Sequence, residues 1–598
     1  MLNKMQKNLN RILKWKGKVK YDFRKYAFPD DELAYLFDEW VEYYNLKYAI
    51  VKTLKPKSIL EIGVRYGYSA ITFLKAAPNA SYLGIDNDSN TFGGSNGAIS
   101  WAQKITQNYN AKFLLANTQE MRALPGEYYD LIHVDGQQDG DGTFHDLEMA
   151  LEKARYILVD GYFWSTENML SATYFLKKYS KFIEYAITLP GYAGEYIIKT
   201  KEIARNLFIK YRTKNYSLLK EAYDTNYFMT DCGGYTSFFK TSGKVLDERL
   251  GAIFSLINPK VGEHILDIGC GRGELAFALS QAGSSVVGID YSKDAIKIAH
   301  KTYSEYMGEK LVYINGDIIE YSIIDKFDKI IVSDVVEHIE QDSLEKLFIK
   351  IPELLKNTGF LFIHTAPNKL NYLYSYPRKR KVVASAGSYL PRNPRTFFED
   401  LMHINEQTPA KLNRALKKHF KYTMTWVGNI SNINEGLCKK FSVKDIYKAS
   451  SIFSIASNSK INKDSIIDNM QDGIDAKEIK VMLYSNIKEL RKTCSEIFYI
   501  PIIIHNLGNN IFRSLLPHPI NISYHFIDEY DNLVVFDGLR TSINNPISAG
   551  EKKEFQIKIK TPEKPGRYVL KVSLVQEGRF WLDDVSIIIP LNISVIAS

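Results

Sequence analysis

Two stretches of the chain place acids and closely spaced glycines at the ends of short apolar segments, a pattern suited to binding a nucleoside. Glycines let the backbone approach a ligand and adopt positive φ angles in a tight bend. A helix that begins there offers unpaired N–H groups to a carboxylate, and an acid ending the next strand can accept hydrogen bonds from ribose hydroxyls. The candidate ligands are Glu61, Gly63, Gly67 and Asp86 in the first stretch, and Asp267, Gly269, Cys270, Gly271, Gly273 and Asp290 in the second.

Alternating strands and helices must position these residues. Residues 58–62 and 264–268 predict a first strand in each stretch, and residues 82–86 and 286–290 predict the next one. A dinucleotide site would space its glycines as GxGxxG, whereas Gly273 comes too early for that spacing, so NAD is the weaker interpretation. The other alternative is that the glycines only build the βα turns of a doubly wound fold.

The order of these motifs resembles that of class I S-adenosylmethionine (SAM)-dependent methyltransferases, and the chain carries it twice. The resemblance implies SAM as the cofactor. In the second copy it adds Asp317, at the position where the family contacts adenine, and Asp334, at the exit of the fourth strand. The first copy departs from the pattern, because Asn117 stands at the adenine position.

Candidate catalytic residues follow the fourth strand of the second copy. A sugar hydroxyl is a weak nucleophile, so methyl transfer to it needs a general base or a metal. His338, next to Glu337, is the first candidate because imidazole titrates near neutral pH, and His403 and His364 are further candidates. The alternative is that Glu337 and His338 begin a helix and serve only the fold.

Residues 133–146 of the first copy resemble sugar O-methyltransferases with an Asp-Gly-Asp-His pattern. The resemblance implies Mg²⁺ held by Asp135 and Glu167, since this ion prefers oxygen ligands. The chain departs from the pattern, with Gln138 at the position of the histidine. The first domain is then either active through other residues or a degenerate scaffold.

Length, charge and cysteine content narrow the class of protein. A chain of 598 residues exceeds one hydrophobic core and predicts three or four domains. The net charge of +9 permits anionic partners, but the (Asn/Asp)-Pro-Pro-aromatic motif of amino-methylating enzymes is absent, so no nucleic-acid partner is expected. Four cysteines without CxxC spacing indicate neither zinc nor disulfides and favour a cytoplasmic protein. No apolar run is long enough to predict a transmembrane helix.

The expected fold class is multidomain, with two α/β Rossmann-like (class I methyltransferase) domains followed by an all-β immunoglobulin-like sandwich. A basic amphipathic helix precedes them; it could lie on the inner face of the membrane, or dock on its own domain or a partner. The predicted boundaries are 1–20 for this helix, 21–201 for the first methyltransferase-like domain, 202–222 for a helical connector, 223–449 for the second methyltransferase domain, 450–478 for a linker and 479–598 for the sandwich.

The last segment resembles an immunoglobulin-like module of bacterial glycosyltransferases and glycan-modifying methyltransferases. The resemblance implies binding of a glycan or of a partner glycosyltransferase. Trp581 and Tyr524 could stack on sugar rings or, at least equally, fill the core. The matching residues are 523–526, 537–541, 549–551, 565–568 and 576–581.

An irregular insertion is expected over residues 371–394, which contain the basic run 377–381. Insertions at this edge of a sheet commonly shape an acceptor pocket. The basic run could hold a phosphate of the acceptor or be a solvated loop.

These features together predict a SAM-dependent methyltransferase that O-methylates a sugar of a bacterial surface polysaccharide, or its nucleotide- or lipid-linked precursor. The second domain is the expected catalyst. The alternative is a non-catalytic glycan-binding or assembly scaffold with degenerate methyltransferase folds.

Overall fold

The structure is a computed structural model that describes residues 2–91, 93–201, 220–430, 433, 435–438, 441–543, 545–583 and 591–597. The chain divides into two compact units, of which the first comprises Met1–Lys220 and Tyr376–Met402 and the second comprises Glu221–Ser375 and His403–Ser598. The connector predicted for 202–222 lies outside the described residues up to position 219, and Lys220–Ala222 form one 3₁₀ turn.

A seven-stranded sheet organises the first unit. Its strands are β1 (Ser58–Ile62), β2 (Ser81–Asp86), β3 (Ala111–Leu115), β4 (Tyr129–Val134), β5 (Ala154–Val159), β6 (Ile183–Leu189) and β7 (Glu195–Thr200). Their order is β3-β2-β1-β4-β5-β7-β6. The first five strands are parallel, while β7 runs antiparallel to both of its neighbours. The C-terminal ends of β1, β2, β4 and β5 therefore meet at one edge, where ligands of open α/β sheets bind.

The helices before residue 200 are α1 (Leu2–Lys16), α2 (Phe37–Leu54), α3 (Tyr68–Ala76), α4 (Ala98–Thr106), α5 (Asp141–Lys153) and α6 (Thr166–Tyr179). Within α1, Ile12 is fully buried, and Met5 and Leu9 pack against the same core of the first domain. The apolar face of α1 thus docks on its own domain, as one of the two interpretations expected. Leu13 and Trp15 remain exposed, and membrane contact through them stays a prediction.

A second seven-stranded sheet organises the first part of the second unit. Its strands are β8 (His264–Ile268), β9 (Ser285–Asp290), β10 (Leu311–Asn315), β11 (Phe327–Ser333), β12 (Leu355–Thr365), β13 (Tyr422–Gly428) and β14 (Ser451–Ser457). Their order, β10-β9-β8-β11-β12-β14-β13, repeats that of the first sheet strand for strand. The prediction of two Rossmann-like domains is confirmed at this level.

The remaining helices are α7 (Thr225–Thr230), α8 (Tyr235–Thr241), α9 (Glu248–Ile257), α10 (Glu274–Gln281), α11 (Lys293–Tyr303), α12 (Gln341–Leu354), α13 (Tyr376–Ser385), α14 (Phe397–Met402), α15 (Pro409–Leu416), α16 (Glu435–Cys438), α17 (Val443–Lys448) and α18 (Lys463–Ile467). None of the helices in the described part of the chain is long and apolar enough to span a membrane.

The linker predicted for 450–478 is wrong over its first half. Strand β14 lies buried between β12 and β13, and the side chains of Ile466 and Met470 belong to the core of the second domain. The polar composition of this segment hid a short apolar strand, whose Ile and Phe residues alternate with serines that are also buried.

The insertion predicted as irregular contains a helix, α13, and is irregular only after it. From Tyr376 onward the insertion belongs to the first unit. Asp141 at the start of α5 accepts hydrogen bonds from Arg380 and Arg392, both at 2.8 Å, and from Tyr389 at 3.0 Å. Arg380 of the basic run therefore serves an ion pair inside the unit.

The C-terminal region is mostly β. Its strands are β15 (Val481–Tyr484), β16 (Glu489–Lys492), β17 (Ile497–Asn506), β18 (Ile520–Asp528), β19 (Leu533–Val535), β20 (Thr541–Ser542), β21 (Lys552–Lys560), β22 (Gly566–Gln576), β23 (Phe580–Trp581) and β24 (Leu591–Ala597). One sheet has the order β15-β17-β21, and a second has the order β16-β24-β22-β18-β19 with β20 and β23 as branches. An immunoglobulin-like topology stays a prediction. Tyr524 and Trp581 are only 2% and 7% exposed, so stacking of sugars on these two rings is wrong and the core interpretation holds.

Candidate functional site

The glycine turn of the second domain lies at the C-terminal end of β8. Gly269 has a φ of +73°, and a Cβ added there would lie 2.4 Å from Val335 Cγ2, so only glycine fits. Gly271 and Gly273 also have positive φ, and Gly273 is the N-cap of α10. Cys270, which lies between Gly269 and Gly271 in the sequence, is buried. The turn thus brings backbone N–H groups and a helix N-terminus to the edge of the sheet.

Two carboxyl groups lie beside this turn. Asp290 accepts hydrogen bonds from the backbone N–H of Gly271 at 3.0 Å and of Ser292 at 2.8 Å, and burial raises its pKa to about 6. Asp267 is 3% exposed and receives no hydrogen bond from the described residues; burial and the charge of Asp290 raise its pKa to about 7. A buried acid without a partner favours a ligand that brings a positive charge or a donor.

An aromatic arm that begins at Tyr223 lies against the turn. Ser292 Oγ donates a hydrogen bond to the carbonyl of Tyr223 at 2.7 Å. Arg272, inside the turn, donates to the carbonyls of Phe228 at 2.6 Å and of Gly233 at 2.7 Å. These bonds hold the arm against the glycine turn and against the residues that follow Asp290.

The two other predicted cofactor ligands of this domain, Asp317 and Asp334, have different partners. Asp317 follows β10, and its Oδ1 accepts a hydrogen bond from Ile319 N at 3.1 Å. Asp334 follows β11 with a φ of 52°, forms an ion pair with Arg249 and lies 2.8 Å from His364 Nδ1. Burial by itself would raise the pKa of Asp334, but Arg249 and His364 hold this pKa below its ordinary value. Sequence analysis missed Arg249, which lies in α9, far from Asp334 in the chain.

Three of the residues predicted as catalytic, Glu337, His338 and His403, lie together, whereas the further candidate His364 pairs with Asp334. Donor atoms of Glu337, His338 and His403 lie within 4.8 Å of one another, a spacing that suits a shared proton or a metal ion. The imidazole rings of His338 and His403 meet edge to face with centroids 4.7 Å apart. Tyr223 Oη lies 2.9 Å from His338 Nδ1, and Thr365 Oγ1 donates to Glu337 Oε2 at 2.9 Å. Their proximity leaves their catalytic role a prediction.

Glu337 gives this cluster a dependence on pH. Burial, and then the charge of Asp334, raise the pKa of Glu337 to about 8. A carboxyl whose pKa is higher in the folded than in the unfolded state destabilises the fold increasingly as pH rises between the two values.

We expect the stability of the second sheet to fall between about pH 5 and pH 8, the range between the two pKa values of Glu337. Glu337→Gln keeps an acceptor for Thr365 without the charge, and should remove much of that fall. Hydrogen exchange of β11 and β12 amides across this range measures it, with each amide compared between the wild type and Glu337→Gln at the same pH. Identical pH dependence in both proteins would contradict the assignment.

The first domain repeats the arrangement around its own turn. Asp86 Oδ2 accepts hydrogen bonds from the backbone N–H of Val64 at 2.7 Å and of Arg65 at 3.0 Å. A Cβ added to Gly63 would lie 2.0 Å from the carbonyl oxygen of Asp135, so this position also requires glycine. The acid at the end of the second strand thus braces the turn in both domains.

An arginine stands at the middle of this turn. Arg65 has a φ of 51°, its guanidinium pairs with Asp31 at 2.7 Å, and it lies over the ring of Tyr66 at 4.8 Å. Gly67 then caps α3. The first turn therefore keeps the backbone path of the second but carries a long side chain where the second has Gly271.

Glu61 was predicted to contact the cofactor. Its side chain is fully buried, one oxygen accepts a hydrogen bond from the Tyr82 hydroxyl, and the other lies 2.8 Å from His133 Nδ1. These contacts place Glu61 in the interior of the first domain, and its contact with the cofactor stays a prediction.

A buried lysine supplies the cation at this edge of the first sheet. Lys47, on α2, is 0% exposed, and its Nζ lies 2.6 Å from Asp160 Oδ1, 3.0 Å from Glu195 Oε1 and 2.8 Å from His133 Nε2. Burial opposes the charge of Asp160, but Lys47 holds its pKa below the ordinary value. Burial raises the pKa of Glu195 to about 8, and burial with the charge of Asp160 raises that of Asp135. One ammonium and one carboxylate are thus paired at a site where burial disfavours the charged forms of the two other acids.

This arrangement does not fit the Mg²⁺ predicted for the first domain. Among the described residues, two groups built around His133 have ligand atoms within 4.8 Å of one another, but Lys47 Nζ already lies among them and its charge repels a divalent ion. Glu167 lies in the first turn of α6 and belongs to neither group. Gln138 donates to Asp135 Oδ1 at 3.0 Å. The prediction of Asp135 and Glu167 as metal ligands is therefore wrong.

In the first domain, sequence analysis missed Lys47 and its partners Asp160 and Glu195. Lys47 stands among the apolar residues 46–51, on the face of α2 that helical periodicity predicts to be buried. A lysine at such a position calls for an acidic partner, and this signal was available. Glu195 carried no comparable signal, because it begins an edge hairpin far along the chain.

Comparison with known proteins agrees with this geometry. Family models described as "Methyltransferase domain" match residues 60–157 and residues 265–359. Each match contains a glycine turn and the acid that braces it. The chain thus contains two methyltransferase domains, which confirms that prediction and agrees with SAM as the cofactor.

Relatives match only part of the chain. "Ubiquinone biosynthesis O-methyltransferase, mitochondrial" of Bos taurus is 36% identical over 179 residues, which make up 29% of this chain and 45% of that protein. The chain spans less than two thirds of the length of such relatives. Among solved structures, a SAM-dependent methyltransferase from Archaeoglobus fulgidus is 21% identical with a TM-score of 0.26, over 37% of this chain and 99% of that one. Magnesium protoporphyrin IX methyltransferase from Synechocystis PCC 6803 with bound SAM is 14% identical with a TM-score of 0.25, over 40% and 96%.

Proposed function

We propose that the chain is a SAM-dependent methyltransferase whose second domain methylates a hydroxyl of a sugar in a bacterial surface polysaccharide or its nucleotide- or lipid-linked precursor. The observation that carries the proposal is the edge of the second sheet, where a braced glycine turn and the Glu337–His338–His403 cluster share the same end of neighbouring strands. The relatives are O-methyltransferases by name, which favours an oxygen atom as the methyl acceptor. The sugar rests on the resemblance of the C-terminal region.

The second domain has a group for each part of the cofactor. Asp290 uses one lone pair of each oxygen for the backbone, so others remain for ribose hydroxyls. Asp267, buried and without a partner among the described residues, suits the amino group of the cofactor's methionine part. The N-terminus of α10 favours its carboxylate.

The histidine cluster suits the acceptor's proton. Bound SAM supplies a methyl group on a sulfonium, which leaves as a neutral thioether while the acceptor oxygen forms the new C–O bond. With a proton on Nδ1, His338 donates a hydrogen bond to Tyr223 Oη, which makes Nε2 the basic nitrogen of the ring. This nitrogen is proposed to take the hydroxyl proton of the acceptor, and the ring of His403, which packs edge to face on His338, fixes its orientation.

Equivalent variants in the two domains test the cofactor assignment. Asp290→Ala removes the carboxylate that braces the second turn, and Asp86→Ala does the same in the first. We expect Asp290→Ala to weaken SAM binding at the second site about tenfold to a hundredfold, since each hydrogen bond to a charged group contributes about 1.5–3 kcal/mol. Isothermal titration of the full-length chain with SAM and with its demethylated product measures this.

The same titration shows which domains bind. Two binding events in the wild type, each lost with its own variant, assign SAM to both domains. A single binding event that is lost only with Asp290→Ala would mean that the first domain does not bind SAM. The long side chain of Arg65 in the glycine turn of the first domain favours this outcome. Normal SAM binding by Asp290→Ala, or no binding by the wild type, would overturn the proposal.

Polysaccharide analysis tests the acceptor. Material from cells that lack the gene should miss one methylene unit per repeat and regain it when incubated with the full-length protein and SAM. The C-terminal strands are proposed to hold the glycan or a glycosyltransferase partner, which would raise the local concentration of acceptor. A cytoplasmic location at the inner face of the membrane belongs to the same proposal.

A further inference from the structure

Exposed aromatic rings lie at the edge of the first sheet where β5 and β6 end. Phe163 and Trp164 follow β5 and are 55% and 62% exposed, and Tyr192, in the loop between β6 and β7, is 37% exposed. Large aromatic side chains on a surface are costly to hydrate, and a cluster of them commonly marks a binding site. Neither the SAM site nor the charge network of Lys47 requires these rings to be exposed.

Backbone hydrogen bonds fix the two loops that carry the rings. Tyr162 N donates to Gly194 O at 3.0 Å, and Phe163 N donates to Ala193 O at 2.9 Å. Trp164 N donates to Gly161 O at 2.8 Å, which closes a turn directly after Asp160. The rings are thus presented on a preorganised surface, which lowers the entropic cost of binding a ligand.

We define the aromatic rim as a series of side chains that contact one another in turn: Trp164, Tyr192, Tyr43, Asp160 and Gln138. Trp164 and Tyr192 lie 6.3 Å apart, and Tyr192 and Tyr43 lie 5.9 Å apart, measured between ring centroids. Tyr43 Oη donates to Asp160 Oδ1 at 2.5 Å, and Gln138 Nε2 lies 3.4 Å from Asp160 Oδ2. The series therefore runs from exposed rings to a polar floor.

Gly161 lies between the two ends of this series, Gln138 and Trp164. A methyl group placed on Gly161 would lie 3.0 Å from Gln138 Oε1 and 3.3 Å from Trp164 Cβ. The carboxamide of Gln138 and the base of the indole therefore flank the same small space. Gln138 also donates to Asp135 Oδ1 at 3.0 Å. An apolar ring face thus stands beside a carboxamide and a carboxyl group, both of which are partly exposed.

We propose that the aromatic rim binds one pyranose ring of the acceptor, with its C–H face on Trp164 and its hydroxyls on Gln138 and Asp135. A pyranose combines an apolar face with a border of hydroxyls, which matches an exposed indole next to groups that donate and accept hydrogen bonds. Lys47 neutralises Asp160 internally, so the floor carries no excess charge that would select an ionic ligand. The inference rests on the proposed sugar acceptor and assigns it a site on the first domain.

Saturation-transfer NMR on the full-length protein tests the rim without SAM. The probes are the methyl glycosides of glucose, galactose, mannose, rhamnose and N-acetylglucosamine, with catechol as a planar phenol. We expect transfer to the C–H protons of one face of at least one glycoside, and about tenfold weaker binding with Trp164→Ala or Gln138→Ala, roughly one lost stacking or polar contact.

A matched control separates this site from others. Tyr35→Ala removes a tyrosine of the same unit that is 77% exposed, more than Trp164, and lies outside the rim; this variant should bind the glycosides normally. Absence of transfer to every glycoside, transfer unaffected by Trp164→Ala, an equal loss with Tyr35→Ala, or preference for catechol would each overturn the inference. Glycoside binding without methyl transfer would instead refute the proposed function and leave the rim standing.

Discussion

Replacing Lys47 by methionine should destabilise the first domain by about 3–5 kcal/mol, the usual cost of leaving a buried charge without its partner. The ammonium is fully buried and lies within 3.0 Å of Asp160 and Glu195. Methionine fills a similar volume, so the loss reports charge rather than a cavity. Hydrogen exchange of β1, β4 and β5 measures the effect locally, because a chain of several domains does not unfold in two states.

The loss should depend on pH in a defined direction. Lys47 depresses the pKa of Asp160 in the folded state, so the stabilisation is present above the unfolded pKa of an aspartate, about 4, and is lost as pH falls through the folded value. Wild type and Lys47→Met should therefore converge in acid. Lys52→Met, on the same helix with its ammonium near the Trp15 ring, is the matched control and should change stability little. Equal effects of the two variants would refute the buried pair as a source of stability.

His338→Ala should lower kcat of the second domain at least about a hundredfold, the lower range for a lost general base. SAM affinity should stay within about twofold, a difference below 0.5 kcal/mol, because Tyr223 and His403, which the His338 ring contacts, are not among the residues predicted to hold the cofactor. The assay follows conversion of SAM to its demethylated product with polysaccharide from cells that lack the gene.

His403→Ala is the matched variant for this experiment. His403 packs edge to face on His338, so its loss should reduce kcat less and shift the pH profile, since it orients the base rather than acting as one. A parallel loss of SAM binding in His338→Ala would give His338 a structural role. A larger loss in His403→Ala would make His403 the base. Measurement with and without EDTA separates proton transfer from a metal ion held by the same cluster.

The duplicated sheet changes how the two sites are understood. Both domains brace their glycine turns with an acid from the next strand. The two domains differ in the side chains that lie near the ends of the neighbouring strands. The second domain has the Glu337–His338–His403 cluster there, and the first has Lys47 with its acidic partners. The predicted division of labour follows, with methyl transfer in the second domain and acceptor binding at the rim of the first.

Local sequence determined the turns and the strands that carry them. Glycines at positions such as 63 and 269 and acids such as Asp86 and Asp290 act within one βα unit, where spacing alone specifies which atoms can meet. The same is true of Glu337 and His338, which follow one strand directly. For this reason the two domains and the candidate cofactor residues could be predicted from the chain alone.

Contacts between distant segments were decided only by the tertiary structure. Lys47 reaches Glu195 across most of the first domain, Arg249 pairs with Asp334, and β14 enters the second sheet from a segment whose composition suggested a linker. Burial also decided that Trp581 fills a core while Trp164 stands in solvent. These outcomes depend on which side chains share a low-dielectric interior, and residue spacing along the chain carries no information about that.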